Sequence, residues 1–216
     1  MARSTVTIIC SVFLVGLLLG PLISLINFSG LSLSLSNSDI AAIKFTFVQA
    51  AYSATLSTIL AIPVAKALLR QNFWGKRFVV LILGAPFILP VIVAVLGLIL
   101  VFGNNGIVNN LLNLIGLGSV KIYGFWGVIL AHVFFNLPLA IRILLQALND
   151  VPGEHYRLVS SLKLSFTQNF LALEWPVWKK VCPGIWAVIF AICLSSFAVA
   201  LTLGGGPRAT TVELAI

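Results

Sequence analysis

The segment FVVLILGAPFILPVIVAVLGLILVF, residues 78–102, contains 25 residues and no charge. A helix that crosses the hydrocarbon core of a bilayer, about 30 Å thick, needs about 20 apolar residues. Because lipid offers no hydrogen-bond partners, the backbone must satisfy its own polar groups, as a helix does. This segment therefore predicts a membrane-spanning helix.

The rest of the chain has the same character. Of its 216 residues, 60% are hydrophobic and 8% are charged, and the mean hydropathy is +1.14. A soluble domain carries about 25% charged residues, so a cytosolic enzyme, a secreted disulfide scaffold and a disordered chain are excluded. Four more apolar runs predict spans at residues 6–28, 45–69, 123–145 and 181–203. We expect an all-α, polytopic helix bundle with five spans in a single transmembrane domain, residues 1–216.

Basic residues predict the orientation of these spans. The net charge is +8, and ten of the 13 basic residues lie at the N-terminus or next to the loops after spans two and four. An excess of Lys and Arg marks cytoplasmic segments, so the N-terminus is predicted in the cytoplasm, and no nucleic-acid partner is needed to explain the charge. The Asn- and Gly-rich segment 104–119 is predicted to be an interfacial element on the outer face.

Small residues and prolines mark positions where the spans pack or bend. A stripe of small side chains in span two predicts close approach of another helix. The stripe consists of Ala50, Ala54, Ser57 and Ala61. Pro86 and Pro90 predict a kink in span three, because each removes a backbone donor and crowds the preceding turn. The pair either serves packing or lines a central passage.

Span four carries polar residues near the middle of the membrane. His132 and Asn136 are one turn apart and Pro138 follows them. Such groups need partners in lipid. They either line a substrate passage or form an interhelical hydrogen bond that fixes packing. The cysteines Cys10, Cys182 and Cys193 show no metal-ligand spacing, so we expect them to pack, and no metal site is predicted.

The segment 149–180, NDVPGEHYRLVSSLKLSFTQNFLALEWPVWKK, is the longest predicted cytoplasmic loop. Pro152 and Glu154, on either side of Gly153, favour the start of a helix. Apolar residues then recur at helical spacing, and Pro176 is expected to end one element and begin the next. We predict two short amphipathic helices, which either fill a partner's groove or rest on the membrane surface. The apolar positions are Leu158, Val159, Leu162, Phe166, Phe170 and Leu173.

This loop resembles the EAA motif of ABC importer permeases, which reads EAA, three residues, Gly, nine residues and I-x-L-P. With Pro176 as the final proline, Leu173 and Trp175 take the Ile and Leu positions, Lys163 takes the Gly position, and residues 157–159 take the EAA triplet. The spacing fits, whereas Glu, both alanines and the glycine are replaced. The loop also follows a span that carries an N-x-P sequence, as permeases of this group often do.

A second resemblance is more specific. The sequence from Glu174 to Pro176, followed by LGGGPRATTVELAI at residues 203–216, resembles thiamine ABC transporter permeases. Ferric-iron permeases are the nearest alternative. Both groups carry two six-helix halves of the type I ABC importer kind in the bacterial inner membrane. The resemblance covers spans two to five and the tail, so the chain is expected to correspond to an N-terminal half whose sixth span would follow residue 216.

The resemblance also implies partners and residue roles. A periplasmic binding protein delivers the ligand, a second permease half completes the passage, and an ABC ATPase subunit receives the cytoplasmic loop in its groove. This chain contains no phosphate-binding GxxxxGK[ST] loop, so no nucleotide or other cofactor is predicted for it. The coupling residues would be Pro152, Gly153, Glu154, Arg157, Leu158, Val159, Leu162, Lys163, Leu173, Trp175 and Pro176.

Three alternatives to a transport subunit remain. The chain could instead be a truncated, non-functional permease half, a non-catalytic membrane anchor, or an intramembrane enzyme. An enzyme would need a nucleophile within hydrogen-bond reach of a base. His132 is the candidate base, and Ser195 or Ser196 would have to approach it from span five.

Overall fold

The computed structural model describes residue 15 and residues 36–162, 165, 168, 170–204 and 211. The predicted first span, residues 6–28, lies outside the described residues except at position 15 and stays a prediction. Within the compact unit formed by residues 37–216, every regular element of the described residues is helical.

The helices follow one another with short connections. In chain order they are α1 (Asn37–Arg70), α2 (Lys76–Ile82), α3 (Ala85–Ile88), α4 (Val91–Phe102), α5 (Ile107–Leu114), α6 (Phe125–Asn149), α7 (Gly153–Ser161), a π-helical turn (Phe170–Glu174), α8 (Trp175–Leu194) and α9 (Phe197–Leu203). Four described segments are long and apolar enough to cross a membrane: Asn37–Arg70, Val91–Leu114, Phe125–Asn149 and Phe170–Leu194. Three of them match predicted spans two, four and five, whereas Val91–Leu114 shares only residues 91–102 with predicted span three and extends into the segment predicted as interfacial. These helices confirm a polytopic, all-helical membrane protein.

Helix α1 is longer than the predicted second span. It begins at Asn37 rather than near residue 45 and contains 34 residues, so it is about 51 Å long. That length exceeds the thickness of a bilayer core. Its predicted stripe of small residues is confirmed as a contact face against α6 and α8. Ala50, Ala54 and Ser57 are fully buried and Ala61 is 1% exposed.

The predicted third span is broken, not merely kinked. Residues 78–102 form three separate helices, α2, α3 and α4. Pro86 lies in the first turn of α3, and Pro90 directly precedes α4. Because a proline inside a helix removes a backbone donor and clashes with the preceding turn, two prolines four residues apart leave one short helical turn between them. Pro86 is buried whereas Pro90 is exposed, so the two rings lie in different surroundings.

Both ends of the predicted fifth span need correction. Pro176 begins α8 as predicted, since it lies in the first turn of that helix. The π-helical turn before it leads directly into α8, so no stop separates the two and the span begins before residue 181. At the other end the helix stops at Leu194 and does not continue to residue 203. Ser195 and Ser196 separate α8 from α9. The segment predicted as one span is therefore two helices joined by a short break.

The core lies where the long helices meet. Buried residues of α1, α6 and α8 form the larger cluster, and residues of α4, α6 and α9 form most of a second one. Large apolar side chains also cover the outside: Leu81, Ile88 and Leu100 are 74%, 84% and 71% exposed. An apolar exterior around a backbone whose polar groups are hydrogen-bonded internally is what contact with lipid requires.

A buried asparagine organises the segment 104–119. Helix α5 occupies its centre, and Asn109 is fully buried. The Asn109 Nδ2 donates to the carbonyls of Gly103 at 2.8 Å and Val120 at 2.9 Å, and its Oδ1 accepts from the Val120 N–H at 2.7 Å. The amide therefore holds both ends of the segment together. Its interfacial location on the outer face stays a prediction.

Candidate functional site

An ion cluster joins the last turns of α1 to the segment 149–180. The Lys66 ammonium lies 3.0 Å from Glu174 Oε2, and Arg70 Nη2 donates to Glu174 Oε1. Glu174 is 1% exposed, and the Lys66 Nζ also lies 4.5 Å from the centre of the Phe170 ring. A buried carboxylate is tolerated when it is paired, because its desolvation is offset by opposite charge. This cluster fixes the π-helical turn to α1.

Sequence reasoning missed this cluster. It used Lys66 and Arg70 as markers of orientation and Glu174 as part of a family signature. A signal was present, since Lys66 and Arg70 are four residues apart and therefore share one face of α1. The partner could not be found, because Glu174 is 104 residues from Arg70 in the chain.

Next to the ion cluster lies a groove of about 450 Å³ between the end of α6, the start of α7, the π-helical turn and α8. We call it the loop groove. It brings together three predicted coupling residues, Pro152, Leu173 and Pro176, which come from both ends of the segment 149–180. Its other walls include residues of α6 and α8. The structure thus places the start and the end of the predicted EAA-like segment side by side.

The other predicted coupling residues are distributed around this groove. Gly153, Glu154 and Arg157 are exposed on α7, Val159 is half-buried, and Leu162 is 66% exposed. Trp175 faces a different groove, between α1 and α8. Lys163 lies outside the described residues, and for Leu158 the structure describes the backbone alone. The predicted first amphipathic helix is present as α7, whereas the second is the continuous start of α8.

A polar cluster occupies the centre of the bundle. The two ring nitrogens of His132 lie 3.3 Å from Ser53 Oγ and 2.7 Å from Ser196 Oγ. The Asn136 Nδ2 donates to the His132 carbonyl at 2.9 Å and to Cys193 Sγ at 3.4 Å. His132 is 2% exposed and Asn136 is 3% exposed. The polar residues of span four therefore find partners on α1 and α8 and at the α8–α9 break.

A further polar side chain of α1, Gln49, compensates for the break between α8 and α9. In a continuous helix the Cys193 carbonyl would accept from the amide of Phe197, but that amide donates to the Ser195 carbonyl at 3.2 Å. The Gln49 Nε2 donates to the Cys193 carbonyl instead, at 3.1 Å. A side chain of α1 thus satisfies a backbone group that the break leaves without its helical partner. Pro138, in the interior of α6, is buried beside this region.

The cluster also bears on the enzyme hypothesis. Ser196 does reach His132, as that hypothesis required. The other ring nitrogen of His132 faces Ser53 and not a carboxylate that would orient a base. Among the described residues, no group of three His, Cys, Asp or Glu side chains could hold a metal ion. The contacts match interhelical hydrogen bonding more closely than an activated nucleophile.

Comparisons with known proteins find thiamine transport permeases among the relatives of this chain. No protein-family model matches the chain. The chain is 46% identical over 175 residues to the thiamine transport system permease protein ThiP of Escherichia coli, which covers 81% of this chain and 33% of that protein. It is 41% identical over 175 residues to ThiP of Brucella abortus, covering 80% of this chain and 32% of that protein.

A more distant relative comes from another transport system. The chain is 32% identical over 164 residues to the probable sulfate transport system permease protein cysT of Chlorella vulgaris, covering 75% of this chain and 58% of that protein. The chain spans about a third of the length of the thiamine permeases it matches. The resemblance predicted from residues 174–176 and 203–216 is confirmed. Over about four fifths of its length, this chain is a homologue of the thiamine transport permeases.

Proposed function

We propose that this chain is a membrane-spanning permease subunit of a bacterial ABC importer and that it forms part of the passage for thiamine. The observation that carries the proposal is its identity of 40–46% with thiamine transport permeases over about 80% of its length. The four apolar helices support a multi-pass location, which we assign to the bacterial inner membrane. The distribution of basic residues supports a cytoplasmic N-terminus.

The partners follow from the same proposal. A periplasmic binding protein would deliver the ligand, a second permease half would complete the passage, and an ABC ATPase subunit would bind at the cytoplasmic face. The loop groove and α7 form the surface that we assign to the ATPase. Leu162, at the end of this segment's first helix, is 66% exposed, so its side chain is available to a partner that binds there.

The structure offers a route by which movement at that surface would reach the membrane. The loop groove is lined by residues of the π-helical turn, and that turn continues directly into α8. The ion cluster of Glu174, Lys66 and Arg70 links the turn to α1. A displacement of the turn would therefore move α1 and α8 together, as a rigid-body mechanism of alternating access requires. We assign the cluster around His132 and Asn136 to packing between α1, α6 and α8, because both side chains are buried and bonded to neighbouring helices.

Reconstitution tests this function. The chain is combined with the remaining permease half, the ATPase and the binding protein in proteoliposomes, and ATP-dependent uptake of radiolabelled thiamine is measured. We expect uptake of thiamine and none of ferric iron or sulfate. Uptake of ferric iron or sulfate in place of thiamine would refute the substrate, and failure of the ATPase to copurify with the assembled permease would refute the importer itself.

A pair of variants tests the coupling surface in the same assembly. Leu162→Asp places a charge on the proposed contact and should abolish copurification of the ATPase. Leu114→Asp is the matched control, because Leu114 is likewise exposed, at 82%, and lies on α5, outside the segment 149–180. It should leave copurification unchanged. Equal binding by both variants would exclude Leu162 from the contact.

A further inference from the structure

A second groove lies between α1 and the first three turns of α8. Its volume is about 400 Å³, within the range of small-molecule sites. Three tryptophans, Trp175, Trp178 and Trp186, line it together with Ile62, Cys182 and Lys179. We call it the tryptophan groove. It faces away from the loop groove, because the neighbouring lysine, Lys180, lines the loop groove instead.

The charge of the tryptophan groove favours an anion. The Lys179 ammonium lies 5.8 Å from the centre of the Trp175 ring, so the ring face holds this cation beside the groove. The described residues that line the groove include no carboxylate. Glu174, the acidic residue next to Trp175, is turned toward Lys66 and Arg70 and is buried. The positive charge of Lys179 is therefore not balanced by an acidic residue of the groove.

The remaining walls favour an apolar chain and a hydrogen-bond acceptor. Ile62, Cys182 and the tryptophan rings present apolar surface along the groove. Trp178 is 7% exposed, and its Nε1–H has no hydrogen-bond partner among the described residues. A buried indole N–H usually finds an acceptor, and tryptophans are enriched where a protein meets the headgroup region of a membrane.

We propose that the tryptophan groove binds an anionic phospholipid, with the phosphate paired to Lys179 and an acyl chain against Ile62, Cys182 and the tryptophan rings. The groove favours a ligand with an anionic group and a long apolar chain, and a phospholipid carries both in one molecule. The inference rests on the proposed function in one respect, since α1 and α8 must lie in a membrane. It does not depend on the transported substrate or on the ATPase.

Tryptophan fluorescence offers a direct test with the full chain. Trp74 and Trp126 are 101% and 67% exposed, so Trp74→Phe and Trp126→Phe leave the three groove tryptophans as the emitters with little disturbance. The purified protein is placed in nanodiscs that contain a small, equal fraction of either dibrominated phosphatidylglycerol or dibrominated phosphatidylcholine. Bromine quenches tryptophan on contact. We expect phosphatidylglycerol to bind about fivefold more tightly, the factor that one basic residue near a membrane surface supplies.

Three lysine variants locate the preference. Lys179→Gln should bring the two lipids to equal quenching, while Lys179→Arg should retain the preference because it retains the charge. Lys180→Gln is the matched control, since it removes the same charge one residue away on the loop groove, and it should also retain the preference. Equal quenching by both lipids in the parent protein would overturn the proposal. So would loss of the preference in Lys180→Gln, or its persistence in Lys179→Gln.

The outcomes remain distinct from those of the uptake assay. Preferential quenching without thiamine uptake in the reconstituted importer would contradict the proposed function and support the lipid site. Thiamine uptake without preferential quenching would support the proposed function and contradict the lipid site.

Discussion

Glu174→Gln removes one charge from the centre of the ion cluster and leaves the shape of the side chain nearly unchanged. In the parent protein the carboxylate is buried and faces two cations, Lys66 at 3.0 Å and Arg70. The two cations differ in access to water, because the Lys66 and Arg70 side chains are 18% and 38% exposed. After the substitution both cations lose their carboxylate, and Lys66 keeps the face of the Phe170 ring.

The expected loss in the free energy of unfolding follows from how deeply these three side chains are buried. Breaking a fully buried ion pair costs about 3–5 kcal/mol, whereas an exposed pair contributes about 0–1 kcal/mol. The acidic partner here is buried and the basic partners are partly hydrated, so the cost falls between these limits. We expect Glu174→Gln to lower the free energy of unfolding by about 2–3 kcal/mol. Glu154→Gln, which removes an exposed carboxylate on α7, should change it by less than about 0.5 kcal/mol.

Unfolding in detergent micelles, followed by circular dichroism, measures both free energies. A double-mutant cycle with Arg70→Gln then isolates the pairing, and we expect a coupling energy of about 1–2 kcal/mol between Glu174 and Arg70. Two results would refute the reasoning: equal effects of Glu174→Gln and Glu154→Gln, or additive effects of Glu174→Gln and Arg70→Gln. Either would mean that the cluster contributes no more than surface charges do.

Further predictions concern topology and packing. In a cysteine-free background, a cysteine at the exposed Asn105 should react with a membrane-impermeant thiol reagent in intact cells, and one at the exposed Gln168 should react after the membrane is opened; the reverse pattern would invert the orientation. Asn109→Ala should lower the free energy of unfolding by about 1–3 kcal/mol, because it leaves buried backbone groups without partners, while Asn110→Ala, at an exposed position, should have little effect. Equal effects of the two would contradict the role of Asn109. Ala54→Leu, at a fully buried position between α1 and its neighbours, should cost about 1–3 kcal/mol by overpacking, measured in the same unfolding assay; an unchanged stability would mean that the helices do not approach closely there.

Some features depend on neighbouring residues alone and were therefore accessible from the sequence. Long uncharged runs predicted the helical spans because a single helix satisfies its own backbone in lipid. The small-residue stripe predicted the contact face of α1 because residues three and four apart share a helix face. The positions of Pro86 and Pro90 marked the breaks in the third span, although the sequence did not show that each proline would begin a new helix.

Other features arise from residues that are far apart in the chain. The periodicity of 181–203 predicted one span, but Ser195 and Ser196 separate two helices, and the break is stable because Gln49 and His132 supply partners from α1 and α6. Pro176 does begin α8, as its position predicted, because a proline in the first turn of a helix costs no hydrogen bond. The stop expected before it is absent, since the π-helical turn leads directly into α8.

The candidate sites divide in the same way. The identities of residues 174–176 indicated the homology with thiamine permeases. The spacing of apolar residues in 149–180 located the segment that carries the loop groove. The pairing of Glu174 with Lys66 and Arg70, and the separation of Lys179 and Lys180 onto two grooves, depended on how α1 packs against α8. Local patterns determine which segments are helical and which faces are apolar. Which buried charge meets which partner is set by helix packing, because those contacts join residues about 100 positions apart that share no local signal.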